Sequence, residues 1–228
     1  MLFKKSIVSL AIITTLAPAI AFAAPTTNLP KEATEFTVQK NDQLKHYLDF
    51  DNKTDFENAS RGFIATWPEK TIKDKQGNVI WDFSKFDFIN QDNGVETINP
   101  SLLRQAKLNN INGLFKVKDG VYQVRGFDLS VMSFIRGDDG WIVIDPLISP
   151  ETAAAGLKLL KEKVEDVPVT GVIFTHSHVD HFGGILGVTT QKDIDNGNVT
   201  IAAPEGFFTH SIAENLMAGT TMSRRSSY

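Results

Sequence analysis

The sequence predicts a layered α/β sandwich, and three observations carry that expectation. Two tight antiparallel hairpins turn at Asp119-Gly120 and at Gly137-Asp138-Asp139-Gly140. A capped helix then starts at Ser149-Pro150. Finally a short apolar run, Val169 to Phe174, ends in a histidine cluster and is followed by another strand and helix. Hairpins combined with helical crossovers point to helices layered on a mixed sheet.

Residues 1–23 read as an export leader. Lys4 and Lys5 supply the positive start, Ser6 to Pro18 is almost wholly apolar, and Ala21-Phe22-Ala23 is a small-x-small cleavage site, so that the mature chain begins near Ala24. The run is too short for a transmembrane span, and no stop-transfer pattern follows, so no stable membrane anchor is expected. The chain contains no cysteine. That excludes a lipid-modified cysteine at the cleavage site, a disulfide framework and any thiolate metal ligand. The expected location is periplasmic or secreted.

Residues 24–112 read as an N-terminal arm and an irregular wrapping region. From Ala24 to about Lys45 the chain is polar, with Pro25 and Pro30, and is expected to be extended. Then comes a segment without clear periodicity but rich in Phe56, Phe63, Trp67, Trp81, Phe83, Phe86 and Phe88, which suggests irregular chain anchored by aromatics. Gln76-Gly77-Asn78 marks a turn between two short extended pieces, and Pro100-Ser101 opens a helical turn or two.

From residue 113 to 228 the pattern sharpens. Phe115 to Val117 and Val121 to Val124 flank the first hairpin turn, and Leu129 to Arg136 and Trp141 to Ile144 flank the second. In the helix capped by Ser149, Ala153, Leu157, Leu160 and Val164 recur at helical spacing. The continuous apolar run from Val169 to Phe174 predicts a strand buried on both faces. Val199 to Ala202 is a further strand, and Pro204 opens a helix through Phe207, Phe208 and Ile212.

Three of the five histidines fall in the six residues His176-Ser177-His178-Val179-Asp180-His181. In extended chain His176 and His178 project to one side and can share a cation. Asp180 and His181 follow where the chain curls, and can address a second cation. Gly183-Gly184 then permits close backbone approach. Clustered His with Asp and without Cys favours zinc, with iron or manganese as alternatives. A pair of such ions lowers the pKa of a bridging water and stabilises a leaving oxygen. With a formal net charge of −4 and no basic run of five or more, nothing suggests a phosphate-backbone partner, so no nucleic acid is expected.

The segment from Thr175 to Gly184 resembles the HxHxDH signature of the metallo-β-lactamase superfamily. Flanking segments resemble its zinc-dependent alkyl sulfatases, which hydrolyse detergents such as dodecyl sulfate: Asn99 to Gln105, Tyr122 to Ser130, Val143 to Ser149, Ala203 to Phe207 and Ser223-Arg224-Arg225. The resemblance runs from about Asp49 to Tyr228. It implies a metallo-β-lactamase-like αββα sandwich, with residues 113–228 as its first half, and two zinc ions as cofactors. His176 and His178 would hold one zinc, and Asp180 and His181 the other, with Asp180 also catalytic. The substrate implied is a small alkyl sulfate ester, cleaved to alcohol and sulfate at the carbon–oxygen bond. The full-length form would be a homodimer. Two glutamates and a further histidine that complete the family's site are expected beyond residue 228, as are its substrate contacts, so the substrate-binding residues stay unassigned. Competing readings are a lactonase, thioesterase or β-lactamase on the same fold, and a truncated chain that binds metal weakly without catalysis.

Asp145 either braces a ligand histidine, as a carboxylate often does at this place in the superfamily, or ends a turn beside Pro146. Arg125 and Asp128 border the mouth of the site or, the favoured reading, form a surface salt bridge. His210 is expected to be structural, and His46 has no supporting context. Arg224-Arg225 would attract sulfate or simply face solvent, and the solvent-facing reading is favoured.

Overall fold

A computed structural model describes residues 31–91 and 96–225. The leader expected over residues 1–23, with its cleavage point before Ala24, lies outside them. The polar stretch that follows is not extended throughout, because Glu35–Tyr47 form a helix, α1. Thr34 caps it, its hydroxyl accepting from the Thr37 amide at 3.3 Å. The helix buries no residue, so apolar spacing carries no trace of it. Asn41 fastens α1 to the chain by donating to the carbonyls of Glu96 and Ile98 at 2.8 and 3.1 Å.

The aromatic-rich region is more regular than its pattern suggests. It contains α2 (Thr54–Ser60), β1 (Phe63–Ala65), β2 (Thr71–Lys73), β3 (Val79–Asp82), a 3-10 turn (Asp87–Asn90) and α3 (Pro100–Asn109). β2 and β3 pair around the expected Gln76-Gly77-Asn78 turn, where Gly77 takes φ +89° and the Asp74 carboxylate accepts from the Gln76 and Asn78 amides. α3 is longer than a turn or two because Asn99 caps it, its side-chain oxygen accepting from Ser101 and Leu102, and Pro100 starts it. Three of the aromatics act as anchors: Trp67 and Phe83 meet Phe127 edge-on, and Trp81 Nε1 donates to the Gly126 carbonyl at 3.1 Å, whereas Phe63, Phe86 and Phe88 stay exposed.

The main sheet adds β4 (Gly113–Lys118), β5 (Val121–Arg125), β6 (Met132–Arg136), β7 (Trp141–Ile144), β8 (Val169–Ile173) and β9 (Thr200–Ala202). Its seven strands lie in the order β1-β4-β5-β6-β7-β8-β9. Pairing is antiparallel from β1 to β7, through the two expected hairpins, and parallel from β7 to β9. The helix α4 (Pro150–Lys163) makes the crossover between the parallel strands β7 and β8, with the Ser149 hydroxyl accepting from the Thr152 amide as its cap.

The core lies between one face of the sheet and α4. Leu114, Val124, Met132, Phe134, Trp141, Val143 and Val172 meet Ala153, Leu159 and Leu160, nearly all fully buried. At about 1.5–3 kcal/mol for each large buried apolar side chain, this face outweighs exposed ion pairs such as Arg136–Glu165, worth about 0–1 kcal/mol. The buried stripe of α4 is Thr152, Ala153, Ala155, Gly156, Leu159 and Leu160, rotated from the expected one, and Leu157 and Val164 sit at its margin. The other face of the sheet is partly open. There Ile135 pairs with Ile142 and Ile144 with Ile173, and Ile135 and Ile173 remain 36% and 37% exposed. β8 is therefore buried on one face, not both.

After β8 come a 3-10 turn (Val179–His181), α5 (Ile185–Val188), α6 (Gln191–Asp195), α7 (Phe207–Ala213), a π-helical turn (Glu214–Ala218) and α8 (Gly219–Arg225). Pro204 precedes α7 and accepts the Phe207 amide. Among the described residues no helix is long and apolar enough to cross a membrane.

Candidate metal centre

The histidine cluster sits at the carboxyl ends of the parallel strands β7 and β8, where ligands gather in open α/β sheets. Asp145 leaves β7 beside Ile173, and Phe174 leaves β8 beside Ala202, each through a backbone hydrogen bond of 3.0 and 2.9 Å. β8 has ended before His176, so the expected alternation along a strand is not what aligns the first two imidazoles. They converge from a bend instead, with His176 Nε2 at 3.1 Å from His178 Nδ1. The 3-10 turn then carries Asp180 and His181 back toward them. The rings of His176 and His181 are 4.0 Å apart, and His181 Nε2 lies 3.3 Å from Asp180 Oδ2.

Neighbouring groups decide which nitrogen each ring offers. Asp145 Oδ1 accepts from the Thr175 amide at 2.8 Å, and Oδ2 from the Thr175 hydroxyl at 2.6 Å. That hydroxyl has one hydrogen, already given to Asp145, so at its 2.9 Å contact with His176 Nδ1 it must accept. Asp145 Oδ2 also accepts from His181 Nδ1 at 2.9 Å. Both rings therefore carry hydrogen on Nδ1 and turn Nε2 with its lone pair into the cluster. His178 has the opposite disposition: Nδ1 faces His176, and Nε2 lies 3.4 Å from Glu214 Oε1.

The donor set of imidazole nitrogens and carboxylate oxygens suits a divalent transition metal ion, zinc among them. Two ligands at about 2.0–2.1 Å in a tetrahedron stand roughly 3.3–3.4 Å apart. The pair His176 Nε2 and His178 Nδ1, at 3.1 Å, and the pair Asp180 Oδ2 and His181 Nε2, at 3.3 Å, are each close to one such edge. Asp145, His176 and His181 also bring three donor atoms within 4.8 Å of one another. Asp145 already receives three hydrogen bonds, which suits it to orienting the histidines rather than to ligation.

The loop between β7 and α4 is shaped for this work. Asp145 and Leu147 hold φ of +54° and +63° on either side of Pro146, strain of about 1–3 kcal/mol per residue that the surrounding contacts must hold. Gly183 and Gly184 pack directly on it. A Cβ at Gly183 would collide with the Ile148 carbonyl, and one at Gly184 with that of Pro146. Glycine here allows the Gly184 amide to reach the Leu147 carbonyl at 2.9 Å.

Asp128 is a buried brace for the same loop and forms no surface salt bridge with Arg125. Its Oδ2 accepts from the Ile148 amide at 3.0 Å and the Thr152 hydroxyl at 2.7 Å, and its Oδ1 from the Ser130 amide at 3.1 Å. Burial pushes its carboxyl above the ordinary value. The Ser130 hydroxyl in turn donates to the Asp180 carbonyl. Arg125 stacks over the Phe115 ring at 4.5 Å and donates to Gln123, and burial lowers its pKa. His46 lies in the last turn of α1 and His210 in α7, both exposed. Among the described residues neither joins a group of three metal-capable donors. Arg224 and Arg225 belong to α8.

Residues 125–218 match the family model described as "Metallo-beta-lactamase superfamily". The chain is 53% identical over 199 residues to a linear primary-alkylsulfatase of Pseudomonas sp., covering 87% of this chain and 30% of that protein. It is 43% identical over 198 residues to an (R)-specific secondary-alkylsulfatase of Pseudomonas sp., again covering 87% and 30%. The solved structure of a stereoselective inverting sec-alkylsulfatase from Pseudomonas sp. superposes with a TM-score of 0.80 at 43% identity, over 86% of this chain and 31% of that one. The chain thus spans about 30% of the length of the curated relatives it matches.

Proposed function

We propose that the chain, which matches the metallo-beta-lactamase superfamily model over residues 125–218, is part of a zinc-dependent alkyl sulfatase whose metal-binding motif is His176, His178, Asp180 and His181. The observation that carries the metal reading is the pairing of donor atoms. Two separate pairs each span about one tetrahedral edge, which supports two cations rather than one. The alkylsulfatase relatives support the ester class.

When bound, zinc lowers the pKa of water toward neutrality and stabilises negative charge on sulfate oxygens. The residues of this chain do the rest. Asp145 and Thr175 fix the tautomers of His176 and His181, so that Nε2 of each is a lone-pair donor. Asp180 offsets cationic charge and accepts a hydrogen bond from the attacking water. In the reaction proposed, the water oxygen bonds to carbon, the ester carbon–oxygen bond breaks, and sulfate leaves with the electron pair. The products are alcohol, sulfate and one proton. Export as a periplasmic or secreted protein and homodimerisation belong to the same proposal.

Chelator-stripped full-length protein reloaded with zinc should release sulfate from dodecyl sulfate. Run in ¹⁸O water, the reaction should place the label in dodecanol. Label in sulfate would overturn the carbon–oxygen assignment. Hydrolysis of lactones or β-lactams but not of alkyl sulfates would overturn the substrate class.

A further inference from the structure

The sequence gives no reason to connect Glu214 with the histidine motif, yet the two meet. The Ser177 hydroxyl donates to Glu214 Oε2 at 3.2 Å, and Glu214 Oε1 lies 3.4 Å from His178 Nε2. The contact spans 36 or 37 residues, so the tertiary fold has to create it. Three aromatic rings do this. Phe174 at the end of β8 stacks on Phe207 at 5.3 Å, Phe182 after the motif meets Phe207 at 5.2 Å, and Phe174 and Phe182 lie 5.9 Å apart. The triangle clamps the start of α7 against both flanks of the metal loop. Glu214 lies seven residues after Phe207, about two helical turns, and so on the same helix face. At Glu214 the helix widens into its π turn, a distortion that recurs at functional sites.

From these contacts we infer that Glu214 is a positioning residue of the metal centre, accepting the Nε2–H of His178 so that Nδ1 is the nitrogen offered to metal. His176 and His181 are already oriented by Asp145 and Thr175, and His178 is the one motif imidazole without a partner in that set. Glu214 gives it one. A carboxylate in this place fixes the ring and raises the basicity of the ligating nitrogen. This role rests on the zinc reading above, and the experiment separates the two.

Zinc affinity is measured by competition with a chelating dye on wild-type protein and the variants Glu214→Ala, Glu214→Gln and His176→Ala, with thermal melts of the metal-free forms. Cobalt(II) is substituted to record the ligand-field absorption. Glu214→Ala should weaken zinc binding roughly tenfold and shift the cobalt spectrum. Its metal-free melt should match wild type. Glu214→Gln keeps an acceptor oxygen and should recover most of the affinity. His176→Ala should lose far more. If wild type and His176→Ala bind zinc equally poorly, the metal reading fails. If His176→Ala is impaired while Glu214→Ala matches wild type in affinity and spectrum, the role of Glu214 fails alone.

Discussion

At the scale of single residues, the centre is built from side chains whose free atoms are set by what their other atoms touch. Asp180 is the clearest case, with its carbonyl held by the Ser130 hydroxyl and its carboxylate beside His181 Nε2. On the proposed sulfatase reading, Asp180→Ala in the full-length protein should cut alkyl sulfate turnover by at least about a hundredfold while leaving the melting temperature nearly unchanged, because that reading gives the carboxylate a part in chemistry rather than packing. The matched control, His46→Ala on the exposed end of α1, should change neither. Asp128 behaves differently because it is buried. Asp128→Ala strands the amides of Ile148 and Ser130 and should cost about 2–4 kcal/mol in denaturant unfolding. Its raised pKa also has a sign. The folded form binds more protons than the unfolded chain between the ordinary and the folded value, so stability falls as pH rises through that window and levels off above it. In Asp128→Asn that fall should disappear from a pH series of unfolding curves. The motif residues His176, His178, Asp180 and His181 were legible in the sequence as a dense local pattern. The roles of Asp128 and Glu214 were not, because the loop partners of Asp128, Ile148 and Thr152, lie 20 and 24 residues away and Ser177 lies 37 from Glu214, so that only the folded chain brings them together.

Among the elements, the readable ones had local chemistry. Asp119-Gly120 set the β4–β5 hairpin, and Ser149-Pro150 set the start of α4. α1 escaped notice because it buries no residue fully and its half-buried face, Thr37, Val38, Asn41 and Leu44, is half polar and makes no apolar stripe. The convergence of His176 and His178 was anticipated for the wrong reason, since a bend beyond β8 supplies what strand alternation was expected to supply. The close contact of the motif loop with the strained turn after β7 tests this picture. Gly184→Ala places a methyl group against the Pro146 carbonyl and must push the two loops apart. It should lower zinc affinity at least about tenfold and destabilise the fold by about 1–3 kcal/mol. Gly197→Ala is a useful comparison, for a Cβ there meets nothing within 4 Å, although its φ of +73° still carries a backbone cost. Only Gly184→Ala should disturb metal binding.

For the whole molecule, one layer of helix covers one face of the sheet, and the other face presents Ile135, Ile142, Ile144 and Ile173 partly to solvent. The described chain on its own should therefore bind a hydrophobic dye and self-associate as concentration rises. Substituting Ile135 and Ile173 with threonine, which suits strands, should reduce both effects. The same whole-molecule view places the motif at the mouth of two parallel strands, with donors arranged as two pairs. The direct test of that central claim is the zinc content of purified full-length protein, measured by elemental analysis for wild type and Asp180→Ala side by side. Close to two zinc ions per chain in wild type, falling toward one in Asp180→Ala, is the result the two-pair geometry predicts. An unchanged zinc content in the variant, or a fully active wild type without zinc, would contradict it.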